Sequence, residues 1–158
     1  TIVKMAKRLE ESGALALAMP CNTAHYYSAA IKNAVSIPFL DMVLLSCAHV
    51  GKLGPKAERL GILASPAVHH TKLFERPLSS LGNKTIWPHN KEQMLKIIQH
   101  VKQFGPTNES AKALQNISLQ LADHGATIQL IACSEFSILK FSLKVVFLKK
   151  LVKNRHIY

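Results

Sequence analysis

Apolar and polar residues follow two rhythms along this chain, and the switches between them mark out the elements. Residues 2–12 (IVKMAKRLEES) carry apolar positions at helical spacing, and Gly13 suits the stop position just past a helix. Residues 14–19 (ALALAM) are a short continuous apolar run, the pattern of a strand buried in a parallel sheet. Helical spacing returns over 23–33, a short strand or connector follows at 37–40, and Asp41 is placed to cap a helix running to about Val50. A loop at 51–55 leads to the strand Arg59–Ala64. Ser65 and Pro66 then supply the cap and first turn of a helix expected over 68–80, which Pro77 can end early. Residues 84–87 read as a short strand stopped by Pro88, and Lys91–Phe104 as an amphipathic helix broken at Gly105-Pro106. A further helix starts at Thr107 or Asn108, runs to His124 and stops at Gly125, and an apolar strand follows over 127–132. Strands alternating with helices predict an α/β fold, mainly parallel sheets flanked by helices on both faces.

Composition narrows the class. A chain of 158 residues fits one ordinary domain or two small lobes, and 48% apolar residues suffice for a core. Apolar runs stop well short of the roughly eighteen residues of a membrane span. The first ten residues read as an amphipathic helix rather than a secretion signal, since no apolar stretch and cleavage site follow. A chain that opens on Thr1, inside a helical pattern, is expected to be a fragment of a longer protein. Three cysteines without framework spacing argue against a disulfide scaffold, and no Cys/His ligand pattern predicts a metal. Free thiols fit the reducing cytoplasm. The net charge of +11 is uneven: residues 1–139 carry fourteen Lys/Arg against nine acids, and 140–158 carry six Lys/Arg and no acid. A basic tail can bind nucleic acid or an anionic membrane, but no aromatic stacking platform accompanies it, and a solvated helix face is the simpler reading.

Two stretches carry the candidate chemistry. The run over 14–19 leads into Pro20-Cys21-Asn22-Thr23, and the run over 127–132 leads into Cys133-Ser134-Glu135. Residues just past a strand's carboxyl end sit where open α/β sheets bind ligands. A single buried cysteine usually packs as a small hydrophobe, but two thiols closing similar strands 112 residues apart can flank one substrate. One thiolate then takes a proton from a carbon while the opposite thiol returns one, inverting a stereocentre. That requires unequal protonation of two groups whose ordinary pKa is about 8.5, and nearby helix N-termini are expected to favour a thiolate. Cys47, inside an apolar helix, reads as core. His25, one helical turn past Cys21, reads either as orienting the site or as a hydrogen-bonded structural histidine; Asp41 reads as a cap, Trp87 as packing, and the adjacent His69 and His70 as pointing to different faces.

Met19-Pro20-Cys21-Asn22-Thr23-Ala24-His25 resembles the first signature of the cofactor-independent aspartate/glutamate racemase superfamily. Ala132-Cys133-Ser134-Glu135 resembles the second, usually Gly-Cys-Thr-Glu, and Gly61-Ile62-Leu63-Ala64-Ser65-Pro66 a segment between them. Glu135, where glutamate racemases carry His, points to the aspartate branch. The resemblance covers about residues 1–140. It implies two pseudo-symmetric α/β lobes around a cleft: residues 1–38 with 141–158 as an incomplete first lobe, and 39–140 as the second. It further implies Cys21 and Cys133 as the acid/base pair, with Asn22, Thr23, Ser65, Lys102, Ser134 and Glu135 binding substrate. The implied reaction is interconversion of L- and D-aspartate or glutamate with no cofactor and no metal. The implied partner is a small dicarboxylic amino acid, with a homodimer as a candidate assembly and neither membrane nor nucleic acid expected. A glycine-rich first strand of the family has no counterpart here, and 145–158 lacks the family's acidic-capped helix. The alternatives are a racemase or isomerase of another small acid, such as maleate or a hydantoin, and an inactive remnant of the fold.

Overall fold

Every strand pairing is parallel in the computed structural model of this chain, which describes residues 1–53 and 59–139. The elements run α1 (Ile2–Glu11), β1 (Leu17–Ala18), a 3-10 turn (Thr23–Tyr27), α2 (Ser28–Lys32), β2 (Phe39–Leu40) and α3 (Met42–Gly51). There follow β3 (Arg59–Ala64), α4 (Pro66–Thr71), α5 (Glu75–Ser80), β4 (Lys84–Ile86), α6 (Lys91–Phe104), α7 (Asn108–Asp123), β5 (Ile128–Ala132) and α8 (Ser134–Ser137). The basic tail over 140–158, including the 141–158 portion assigned to a first lobe, lies outside the described residues, as do residues 54 and 55 of the loop expected at 51–55.

The strands form two sheets, β1-β2 and β4-β3-β5. In the larger sheet β3 is central, and its side chains divide by the two-residue period of a strand. Leu60, Ile62 and Ala64 pack with Val43, Cys47 and Val50 of α3 and with Val68, Phe74 and Leu78. Leu63 faces the other way, into a core built by Met94, Ile97, Ile98 and Val101 of α6, by α7 and by Phe136. Helices therefore cover both faces, as the strand–helix alternation predicts. At the turn into β5, Gly125 adopts φ +91° against the Arg59 guanidinium, 2.7 Å from where a Cβ would sit. The left-handed φ is what favours glycine there, since the end of the Arg59 side chain can shift.

The smaller sheet is thinner. Leu17 and Phe39, then Ala18 and Leu40, pair across it, over a core of Ala6, Leu17 and Ile31. β2 belongs to this sheet although it begins just past residue 38, where the sequence reading divided the lobes. The strand expected over 14–19 shrinks to two residues because β1 has one neighbour, and Leu15 stands 88% exposed.

Other departures are local. The helix expected over 68–80 divides into α4 and α5, because Lys72 turns left-handed at φ 54° and closes α4. Pro77 does not end a helix; it sits in the first turn of α5, where no backbone donor is needed. The segment 23–33 is a 3-10 turn followed by one short helix. The caps hold as read: Asp41 accepts from Leu44 N at 3.1 Å and Ser65 from Val68 N at 3.4 Å. Thr107 and Ser110 form a reciprocal capping box on α7.

Candidate active site

The carboxyl ends of the strands bring the two cysteine stretches into one neighbourhood. Cys133 directly follows β5, and Ser65 directly follows β3, the adjacent strand, with Ala64 in register with Ala132. Adjacent strands lie about 4.8 Å apart, so Ser65 and Cys133 leave the sheet side by side. From the smaller sheet, Cys21 stands three residues past β1, and Thr23 Oγ1 lies 3.1 Å from Ser65 Oγ. The Cys21 loop thus reaches the sheet end that bears Cys133.

Around Cys133 the contacts are tight. Its Sγ–H donates to Glu135 Oε2 at 3.1 Å, Ser134 Oγ donates to the same oxygen at 2.9 Å, and Lys102 Nζ lies 3.5 Å from Oε1. Burial, with the hydrogen bond and negative charge of Glu135, pushes the Cys133 thiol up to about 12. The sequence expectation of a thiolate favoured by a helix N-terminus is corrected here: backbone N–H groups of Glu135 and Phe136 pull the other way but are outweighed. α8 has four residues, too few for a strong macrodipole. Burial disfavours the charged form of Glu135 too. Donors from Cys133, its own backbone and Ser134, with the Lys102 charge, overcome that and hold its carboxyl below the ordinary range. Cys133 is therefore held as the protonated thiol, hydrogen-bonded to a carboxylate that stays ionised.

Cys21 differs. It is exposed, its N–H donates to Met19 O at 2.8 Å, and its carbonyl accepts from the ring of His25 at 2.7 Å. Asn22 is buried beside it, and Thr23 is exposed. Cys47 is core as expected, 2% exposed, with burial and then the Asp41 charge pushing its thiol up to about 11. His69 stacks on Trp87 with ring centroids 4.3 Å apart.

Of the residues predicted from sequence, direct contacts join Lys102, Cys133, Ser134 and Glu135 in one group, and Thr23 and Ser65 in another. Sequence reading gave Glu135 to substrate and overlooked that it serves Cys133. The signal was the spacing, since a carboxylate two residues past a strand-ending cysteine falls in the first turn of the following helix. Among the described residues no group of three or more His, Cys, Asp or Glu is placed to hold a metal, and no helix is long and apolar enough to cross a membrane.

Comparisons with known proteins bear on the fold and the family. The chain is 27% identical over 137 residues to the broad specificity amino-acid racemase RacX of Bacillus subtilis, covering 86% of this chain and 59% of that protein. Among solved structures it resembles an aspartate racemase from Picrophilus torridus (TM-score 0.71, 24% identity, 87% of this chain and 57% of that one). It also resembles the glutamate racemase isoform RacE1 from Bacillus anthracis (TM-score 0.73, 18% identity, 92% of this chain and 55% of that one). At these identities the structures speak for the fold, and the chain spans under three fifths of each one's length. Residues 1–151 match the family described as Asp/Glu/Hydantoin racemase, and the chain belongs to that family.

Proposed function

We propose that this chain carries the acid/base pair of an amino-acid racemase that interconverts L- and D-aspartate, or glutamate, through Cys21 and Cys133 and without pyridoxal phosphate. In one direction the Cys21 thiolate removes the α-proton: the C–H bond breaks, an S–H bond forms, and the electron pair stays on the carbon. The Cys133 thiol then gives its proton to the opposite face and is left a thiolate. In the other direction the roles reverse: the Cys133 thiolate left by the first turnover removes the α-proton and the Cys21 thiol returns one. Asn22, Thr23, Ser65 and Ser134 offer hydrogen-bonding groups for the substrate carboxylates. Lys102, with 65% of its side chain exposed, offers a cation to the side-chain carboxylate beside Glu135.

The observation that carries this reading is the contact between Thr23 and Ser65, because it links the loop of Cys21 to the strand end next to Cys133. Three free thiols support a cytoplasmic setting. A wider substrate range is the second reading, favoured by the relative named for broad specificity.

The test is exchange of the α-proton in deuterated water with no cofactor added, over both enantiomers of aspartate, glutamate and a panel of neutral amino acids. Deuterium entering aspartate or glutamate fastest supports the dicarboxylate reading. Equal entry into neutral amino acids favours the broader one, and no exchange into any of them refutes both.

A further inference from the structure

His25 is 1% exposed, and both of its ring nitrogens are engaged. The backbone N–H of Met42 points at Nε2 from 3.2 Å. A backbone amide only donates, so Nε2 is the bare, accepting nitrogen. The proton therefore sits on Nδ1, which donates to the Cys21 carbonyl at 2.7 Å. The ring is neutral. Asp41 Oδ1 lies 4.0 Å from Nε2, beyond hydrogen-bond reach, and Asp41 is instead occupied by Lys32 at 2.8 Å and by Leu44 N. Phe39 packs on the ring, centroid to centroid at 5.6 Å.

The other end of this bridge matters equally. Met42 opens α3, whose Val43, Cys47 and Val50 are sunk in the core under the larger sheet. The N–H of Cys21 is already held by Met19 O at 2.8 Å. With its carbonyl held by His25, both polar backbone groups of Cys21 are fixed, one within its own loop and one to the larger unit. The thiol keeps only its side-chain rotation.

We infer that His25 is a positioning residue for Cys21: as a neutral Nδ1–H imidazole it ties the Cys21 carbonyl to the first turn of α3, and so holds this thiol in place relative to the larger sheet. The catalytic consequence rests on the racemase reading; the tether itself does not.

Two amide substitutions separate the halves of the bridge. His25→Asn places its side-chain nitrogen near the Nδ1 position and keeps the donation to Cys21; His25→Gln reaches the Nε2 position and keeps the acceptor for Met42. Backbone hydrogen exchange over residues 21–25 is expected to rise about tenfold in His25→Gln and to stay within about twofold in His25→Asn, the size of one buried hydrogen bond. In the unaltered chain, ¹⁵N spectra of the imidazole are expected to show Nδ1 protonated and Nε2 bare at neutral pH. In α-proton exchange, His25→Gln is expected to lower kcat about tenfold with KM within about twofold, and His25→Asn to restore most of the rate. The reverse tautomer, equal exchange in the two variants, or a milder His25→Gln overturns the tether. An unaltered chain that never exchanges the α-proton, yet shows the tautomer and the backbone pattern, refutes the racemase reading and leaves the tether standing.

Discussion

Cys21 follows a two-residue strand with one neighbour and a core of three buried residues; Cys133 follows a five-residue strand beside β3, buried from Leu60 to Ala64. The same sequence device, an apolar run ending in Cys and small polar residues, has thus been set on two very different supports. On the larger sheet the thiol is buried, faces a carboxylate and is held as an acid. On the smaller one it is exposed, and its place is fixed through its backbone. Burial under the larger sheet, and after it the hydrogen bond and charge of Glu135, keep the Cys133 thiol protonated.

The sharpest way to break this comparison is to remove the thiols one at a time. Cys21→Ser and Cys133→Ser are each expected to lower racemisation in both directions by at least about 10³-fold, because each turnover needs both groups. Cys47→Ser is expected to leave the rate within about twofold. Steady-state rates from both enantiomers check this, and an equally damaging but folded Cys47→Ser refutes the pairing.

Unequal support under the two strands predicts unequal losses of stability. Leu114, 0% exposed in the larger core, is expected to cost about 3 kcal/mol on Leu114→Ala. Leu17, 7% exposed in the small cluster, is expected to cost less than half of that on Leu17→Ala. Urea unfolding of the two variants measures the difference, and equal losses mean the two cores are equally packed.

Much of this contrast was hidden in the sequence. The runs before Cys21 and Cys133 look equally strand-like, yet one yields two paired residues and the other five, because pairing depends on neighbours brought from far along the chain. Local signals were legible: α6 begins and ends where its amphipathic pattern does, and Asp41, Ser65 and Thr107 cap the helices they precede. Lys72 gave no warning, since a left-handed lysine is set by the packing of α4 and α5. At the site, residue identities were readable but their partners were not. Lys102 and Glu135 are 33 positions apart, and the packing of α6 beside β5 and α8 brings them together.

A smaller effect sharpens the proton-state difference. Glu135→Gln removes a negative charge and acceptor from Cys133, so alkylation of Cys133 at pH 8 is expected to quicken about tenfold while that of Cys21 stays unchanged; peptide mapping after iodoacetamide distinguishes them. The same thiols set an alkaline limit. With Cys133 pushed up to about 12 and Cys47 up to about 11, both above the ordinary thiol range, unfolded thiols ionise before folded ones. Stability from these two groups is full below about pH 9 and is lost as pH rises toward 12. Cys47→Ser is expected to flatten this decline in the urea midpoint, and an unchanged slope refutes it.

Smallest is the hydroxyl pair that joins the two cysteine stretches. Ser65→Ala loses the bond to Thr23 and the cap of α4, for about 1 kcal/mol, and Thr23→Ala about half of that. A double-mutant cycle by thermal unfolding reads the coupling between them, and zero coupling means the contact holds nothing together.

The order β4-β3-β5 also has a consequence in time. Ala64 and Ala132 are partners in register but 68 residues apart. At about 5–20 residues per second on the ribosome, one side of β3 waits roughly 3–14 s for β5 to be made. During that interval an apolar strand, Leu60 to Ala64, has a bare hydrogen-bonding edge while α6 and α7 are still emerging. The nascent chain is therefore most open to chaperone capture, or to pairing with another chain, between completion of β4 and arrival of β5.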